Sequence, residues 1–249
     1  MFAIISRASP LQVDLEGLTD MHSAIAIITA RGGSKRIPRK NIKSFMGKPM
    51  LAYAIEAARG SGLFSEIMVS TDDEEIASVA TSCGATVPFM RSEATANDYA
   101  TTFDVLAEVV DKYMDNGRSF DIVCCIYPCV PFLSTDTLRK AYGMLEGANA
   151  VVPVCKYPVP IEWAMKIEEN MLVPSDPAAQ LIRSQDIVPK YYDVGMFYFA
   201  RTDALMEEKT LVPSRTAAYV IDEKECQDID TQSDWDMAEM KYKILNPDV

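Results

Sequence analysis

The sequence predicts an α/β fold: a mostly parallel, Rossmann-like sheet with helices on both faces. Three observations carry this expectation. Short apolar runs of strand length alternate with amphipathic segments of helical period along most of the chain. The first apolar run, 25–28, leads straight into Gly32-Gly33-Ser34, the order in which α/β folds present phosphate sites at strand C-termini. The chain closes on a helical pattern over 232–245 with Trp235, Ala238 and Tyr242 on one face. A length of 249 residues suits one large α/β domain or two small ones, and residues 21–249 are read as one.

The elements follow in order. Pro49 suits the first turn of a helix whose apolar face is Leu51, Ala54, Ile55 and Ala58, with Gly60 and Gly62 ending it. A second strand is expected over 66–71. Asp72 then caps a helix, with Glu75 three residues on, or takes a functional role; Ile76, Val79 and Ala80 face inward. A third strand is expected over 85–90. A polar loop from Arg91 to Asp98 precedes a helix over 100–114 with Phe103, Leu106, Val110 and Tyr113 on one stripe. Strand, helix and strand are expected at 121–127, 135–145 and 150–154. Five prolines, with Trp163 and Tyr191-Tyr192, interrupt the rhythm over 156–192, which reads as an excursion: a substrate lid, a dimer arm, or both. Strands resume at 195–200 and 217–221.

Residues 1–20 fit this pattern poorly. The apolar start from Phe2 to Ile5 is followed by Asp14, Glu16 and Asp20, without a secretory apolar region. They are read as an N-terminal extension without order, with Met21 as the natural start.

Composition removes several function classes. The net charge of −12 argues against nucleic acid and anionic membrane as partners. No apolar stretch approaches the roughly 18 residues of a membrane span. The six cysteines show no CxxC spacing, and Cys124-Cys125 lies in an apolar run, so a reducing cytoplasm is expected. His22 is the sole histidine, which excludes Ser-His-Asp and Cys-His systems and histidine-bearing zinc sites. Catalysis must rest on carboxylates, cations, hydroxyls and a hard metal.

Two constellations fit that chemistry. Residues 31–48 hold seven of the chain's 24 Lys and Arg and none of its 36 Asp and Glu. Glycines 32 and 33 let a polyanion approach the backbone, so the loop reads as a phosphate site. It is neither a Walker A motif nor GxGxxG, because Arg36 follows Lys35 where Ser or Thr is required. Asp228-Ile229-Asp230 is the second. In extended backbone both carboxylates project to one face and suit Mg²⁺, which takes one or two carboxylates beside water and substrate phosphates. The competing reading is helix capping, but Thr231 supplies a cap for the helix at 232.

The run Ala30-Arg31-Gly32-Gly33-Ser34-Lys35, with Lys40-Asn41 four residues beyond, resembles the N-terminal signature of the CMP-sugar (acylneuraminate) cytidylyltransferases. The resemblance spans about 24–245. It implies a nucleotidyltransferase sheet, CTP and an acid sugar as substrates, and a homodimer. It also implies nucleotide contacts at Ala30, Arg31, Gly32, Gly33, Ser34, Lys35, Lys40 and Asn41, with Arg31, Lys40 and Asp230 catalytic and Asp228 and Asp230 on Mg²⁺. Arg91, seven residues before Asp98, and Thr102 line the cytosine pocket by the same resemblance; Asp98 is a ligand contact, a loop brace or a helix cap. Tyr127-Pro128-Cys129-Val130-Pro131 stands where sialate-using relatives often carry Gln-Pro-Thr-Ser-Pro, and Tyr127 fits the branch of the family that uses pseudaminic acid.

A sugar carboxylate calls for a fixed cation, which makes Lys166 and Arg183, with Gln185, sugar-site candidates or ordinary surface residues. Asp193 and Phe197-Tyr198 would complete that pocket. The implied reaction is in-line attack of the sugar's anomeric hydroxyl on the α-phosphate of CTP, with Mg²⁺ between the phosphates and the two aspartates and pyrophosphate leaving. No general base is apparent, so metal-assisted deprotonation is expected. A sialate, legionaminate or 3-deoxy-octulosonate is the alternative sugar. A silent nucleotide-binding regulator is the alternative of another class, against which the intact Asp228/Asp230 pair and unbroken basic loop both argue.

Overall fold

A computed structural model describes residues 23–247; the expected extension at 1–20 lies outside the described residues. The central sheet has seven strands: β1 (Ala24–Thr29), β4 (Glu66–Ser70), β5 (Ile122–Ile126), β6 (Ala150–Lys156), β9 (Tyr191–Asp193), β10 (Phe197–Arg201) and β11 (Thr216–Val220), in the order β11-β6-β10-β5-β1-β4 with β9 alongside β6. Five strands share one direction, and β9 and β10 run against them. Two short antiparallel pairs lie outside it: β2 (Ser44–Phe45) with β3 (Lys48–Pro49), and β7 (Met165–Glu168) with β8 (Met171–Pro174).

Alternation within the strands explains why both faces are covered. In β1, Ala24, Ala26 and Ile28 pack with helices α1 (Met50–Ser61), α2 (Glu74–Ser82) and α5 (Thr135–Gly143). Ile25 and Ile27 face the other way, toward α4 (Thr102–Asp115) and α6 (Thr202–Glu208). A four-residue helix, α3 (Glu93–Ala96), precedes α4, and α7 (Gln232–Leu245) closes the chain. The expected ends hold at several caps. Gly62 ends α1 in the left-handed region at φ 66°, and Thr231 caps α7 through a capping box.

The strand expected over 85–90 is absent. Thr86 makes a single parallel bridge to Met68, after which Pro88 has no N–H for a ladder. Asp72 does not cap α2. Asp73 does, accepting from Ile76 N at 2.9 Å. Asp98 does not cap α4 either, since Thr101 holds that position. The helix expected over 135–145 ends at Gly143. Within the excursion the chain forms the β7–β8 hairpin, three short 3₁₀ turns and β9.

A third cluster positions the site. Phe45 stands edge-on to Tyr53, Trp235 and Tyr242 at centroid distances of 5.7, 5.3 and 5.6 Å. Ile37 and Ile229 are buried in the same cluster. Burying these apolar groups together draws the basic loop and the Asp228–Asp230 segment to one end of the sheet. β4 lies on one side of β1 and β5 on the other, so the chain reverses its direction of travel across the sheet at β1. The loop after β1 stands at this switch point, where open α/β sheets bind ligands.

Candidate active site

The loop after β1 is held by its own backbone and by Asn41. Ala30 is buried and donates its N–H to the Ser70 carbonyl at 3.0 Å, so it has only backbone to offer a ligand. Asn41 is 4% exposed; its Nδ2 donates to the Arg31 carbonyl at 2.8 Å, and its Oδ1 accepts from the Cys129 thiol at 3.4 Å. This bond ties the two ends of the loop together. Between them, Ser34 N donates to the Gly32 carbonyl at 3.0 Å. Gly32 N donates to Asp72 Oδ1 at 2.9 Å, so Asp72 supports the loop backbone instead of starting a helix.

Two adjoining cavities open at this end of the sheet. The larger, 600 Å³, is lined by Arg31, Gly33, Ser34, Lys35, Arg36, Lys40 and Asn41 of the loop, by Tyr127, and by Asp228 and Asp230. The smaller, 210 Å³, is lined by Arg91, Asp98 and Thr102 and shares Thr29 and Arg31 with the first. Thr102 Oγ1 and the Tyr127 hydroxyl are 3.1 Å apart, so one hydrogen bond crosses the boundary. Gly195, at φ 61°, also lines the larger cavity, and its missing side chain leaves room beside the Tyr127 ring.

The loop cations meet carboxylates from distant parts of the chain. Asp98 binds Arg31 and Lys35, each at 2.7 Å and each through a different oxygen. Lys35 first and Arg31 second hold its carboxyl below the ordinary range. Of the three roles weighed for Asp98, the loop brace is the one this geometry fits. Arg36 meets Asp230 at 2.7 Å, and Lys40 stands 3.5 Å from it while donating to the Ile229 carbonyl at 2.5 Å. Lys43 donates to Gln232 at 3.1 Å and lies over the Trp235 ring. The concentration of charge evident in the sequence is thus largely balanced in space.

Asp228 and Asp230 both face the larger cavity, while Ile229 is 1% exposed in the aromatic cluster. Crowding by the cleft walls, then the Asp230 charge, raises the Asp228 carboxyl pKa above its ordinary value. Two neighbouring carboxylates that open onto a cation-lined space suit a hard divalent ion. Among the described residues no group of three or more His, Cys, Asp or Glu could hold a metal, so such an ion would need ligand or water oxygens to complete its shell.

Arg91 is 9% exposed and donates to Ser70 Oγ at 3.1 Å and to the Ser70 carbonyl at 2.7 Å. Burial lowers its pKa, against the opposing charges of Asp72 and Glu108. The segment after it is pinned by Glu108, which accepts from Ser92 N and Ser92 Oγ, both at 2.9 Å, from Thr95, and from Lys112. Burial opposes the Glu108 charge, but Lys112, Thr95 and Ser92 outweigh it and hold the pKa at about 2. A carboxylate depressed on folding stabilises the fold above its unfolded pKa and loses that contribution as pH falls toward the folded value. Glu108→Gln is therefore expected to cost about 2–3 kcal/mol at neutral pH. The gap from the parent should close between pH ~4.5 and ~2 in urea unfolding curves. A gap independent of pH would discount the charge.

The sugar-site candidates are dispersed. Tyr127 lines the larger cavity. Asp193 accepts from Gly195 N at 2.8 Å and from the Tyr198 hydroxyl at 2.7 Å, which uses both its oxygens. Phe197 is corrected to a core residue: it is 0% exposed and packs on Phe199 and Tyr219, with no surface for a sugar. Lys166 is exposed on β7, Arg183 pairs with Asp186 at 2.8 Å, and Gln185 lines a separate 380 Å³ cavity within the excursion. None of these three lines either cavity of the candidate site.

The family model for cytidylyltransferases matches residues 25–244, which is most of the chain. The chain belongs to the cytidylyltransferase family. It is 38% identical over 223 residues to the pseudaminic acid cytidylyltransferase of Campylobacter jejuni, a match covering 88% of this chain and 96% of that one. It is 33% identical over 228 residues to the CMP-N,N'-diacetyllegionaminic acid synthase of Legionella pneumophila, with coverage of 88% and 96%. The structure of a CMP:2-keto-3-deoxy-manno-octonic acid synthetase complexed with CTP superposes with a TM-score of 0.63 at 18% identity, covering 90% of this chain and 99% of that one. At that identity the likeness shows the shared fold. As a member of the cytidylyltransferases the protein is a nucleotidyltransferase enzyme.

Proposed function

We propose that this cytidylyltransferase joins the cytidylyl group of CTP to a nine-carbon acid sugar, pseudaminic acid, and releases pyrophosphate. The observation that carries the reading is the single 600 Å³ cleft onto which the basic loop, Tyr127 and the Asp228/Asp230 pair all open. Arg31, Lys35, Arg36 and Lys40 would take the triphosphate, with the loop backbone at Gly33 close behind. The adjoining 210 Å³ cavity, with Arg91 and Thr102, would take the cytosine ring. Asp228 and Asp230 would hold Mg²⁺, which when bound neutralises phosphate charge. The protein's own share is to align the sugar hydroxyl with the α-phosphorus and to spread positive charge over the phosphates.

The choice of sugar rests on the 38% identical relative and on Tyr127. The legionaminate relative at 33% identity supports a second reading with the same chemistry. The deciding experiment measures pyrophosphate release from CTP with pseudaminic acid, a legionaminic acid, N-acetylneuraminic acid or no sugar, each with Mg²⁺ or with excess chelator. Release with pseudaminic acid alone, abolished by chelator, is the expected result. Release with legionaminic acid instead would keep the mechanism and replace the substrate. CTP binding without release under any condition would favour the regulator.

The homodimer belongs to the same proposal. Met165, Ile167 and Leu172, on one face of the β7–β8 hairpin, are 48, 76 and 65% exposed, an apolar face for a second copy. Light scattering of the same preparation at micromolar concentration should give twice the chain mass. A cytoplasmic site of action is supported by six free cysteines, and among the described residues no helix is long and apolar enough to cross a membrane.

A further inference from the structure

We propose that Arg39, gripped by Asp73 and Glu75, is a positioning residue that clamps the phosphate loop to the start of α2. It lies among the loop cations in sequence, but it lines neither cavity of the candidate site. Its guanidinium faces away, making a two-pronged pair with Asp73: Nη1 to Oδ2 at 2.5 Å and Nη2 to Oδ1 at 3.0 Å. Nη2 also reaches Glu75. The Arg39 backbone is left-handed, at φ 56°, a conformation a non-glycine residue keeps only when its surroundings hold it.

The same turn grips the other limb of the loop. Gly32 N donates to Asp72 at 2.9 Å, and a Cβ built on Gly32 would lie 2.8 Å from Asp73 Oδ2. Glycine is thus required at position 32 by the fit against Asp73, whereas Gly33 has open space around it. Residues 72–75 therefore hold the loop at Gly32 on its way out of β1 and at Arg39 on its way back. Between these anchors lie Lys35 and Arg36, with Lys40 directly after the second. Asp73 is itself immobile because it caps α2 through Ile76 N at 2.9 Å. Arg39, then its capping contacts, hold the Asp73 pKa at about 2 against the opposing effect of burial, so the grip persists through the working pH range.

The consequence for the reaction rests on the proposed function; the clamp itself does not. A phosphoryl-transfer site depends on charge held in place, and displacement by about 1 Å can cost 10²-fold in rate. Arg39→Gln and Asp73→Asn both cut the clamp. Asparagine is as good a helix cap as aspartate, so Asp73→Asn removes the pair and keeps α2. Arg39→Lys keeps the charge but cannot span two carboxylate oxygens and Glu75 at once.

The test combines amide hydrogen exchange with steady-state kinetics on the full chain. All three variants are expected to exchange about tenfold faster than the parent at residues 32–40, with β1 and α1 unchanged. In pyrophosphate release, KM for CTP should rise roughly tenfold while KM for the sugar stays within about twofold. The double variant Arg39→Gln/Asp73→Asn should be no worse than either single, as for two halves of one contact. Unchanged loop exchange would overturn the clamp whatever the kinetics show. Faster exchange with an unaltered KM for CTP would overturn its positioning role. A loss with Arg39→Gln that Asp73→Asn does not share would mean that Arg39 touches the nucleotide directly. Faster loop exchange in a protein whose parent form turns over no sugar would uphold the clamp and sink the proposed reaction.

Discussion

Lys40→Ala is expected to lower kcat/KM for pyrophosphate release by roughly 10²–10³, the cost of losing a preorganised charge donor. Two features of the structure support so large an effect. Lys40 is the loop cation with the least exposed side chain among those facing carboxylates, at 20%, so its charge acts where water screens it poorly. Its ammonium also donates to the Ile229 carbonyl, between the two aspartates, and so links the basic loop to the carboxylate segment. Removal takes a cation from the cleft and frees that segment at the same stroke. The Asp230 charge would be left to Arg36, whose side chain is 65% exposed. Initial rates over a range of CTP and sugar concentrations make the check, beside thermal unfolding to confirm the fold. A loss below about threefold in a folded variant would remove Lys40 from the machinery, and with it the functional reading of the loop's second half.

Phe197→Ala should act on stability and leave the sugar alone. A phenylalanine with no exposed surface, truncated to alanine, costs about 3–5 kcal/mol through lost burial and the cavity left behind. In a chain of this size that corresponds to a fall in Tm of roughly 6–20 °C. Phe197→Leu keeps most of the volume and should cost about 1 kcal/mol, while KM for the sugar stays at the parent value in either variant that folds. The opposite pattern, a parent-like Tm with a raised KM for the sugar, would return Phe197 to the sugar pocket and contradict its packing on Phe199 and Tyr219.

Several elements were legible because their signals are local. The limits of α7, 232–245, follow from the Thr231 cap and the apolar stripe after it, and Thr231 caps the helix as read, with Asp234 completing a capping box. Ile25–Ile28 is a buried strand because four apolar residues before a glycine turn have few other places to go. Local signals also misled. Thr86 to Met90 has strand composition, but Pro88 breaks the ladder. Asp72 and Asp73 look alike as caps, and only backbone geometry separates them: Asp73 is extended at φ −120°, with its side chain turned back onto Ile76. The helix Thr202–Glu208 was missed; seven residues are too few for a clear period.

What the sequence determined by itself was the order of the parts: strand, glycine turn, basic loop, carboxylate pair and closing helix. Each depends on neighbours a few residues apart, so each can be read from periodicity, cap chemistry and charge density. The tertiary structure alone decided the partner of each part. Asp72 lies 40 residues from the Gly32 amide it holds, and Lys40 lies 189 from the carbonyl it meets. Those separations are closed by sheet pairing and by burial of Phe45, Tyr53, Trp235 and Tyr242 in one cluster. Burial is non-directional and favours any apolar surface that fits. A linear pattern can therefore show that Phe45 and Trp235 go inside, while the meeting of the two, and the cleft it closes, depends on the packing of the whole chain.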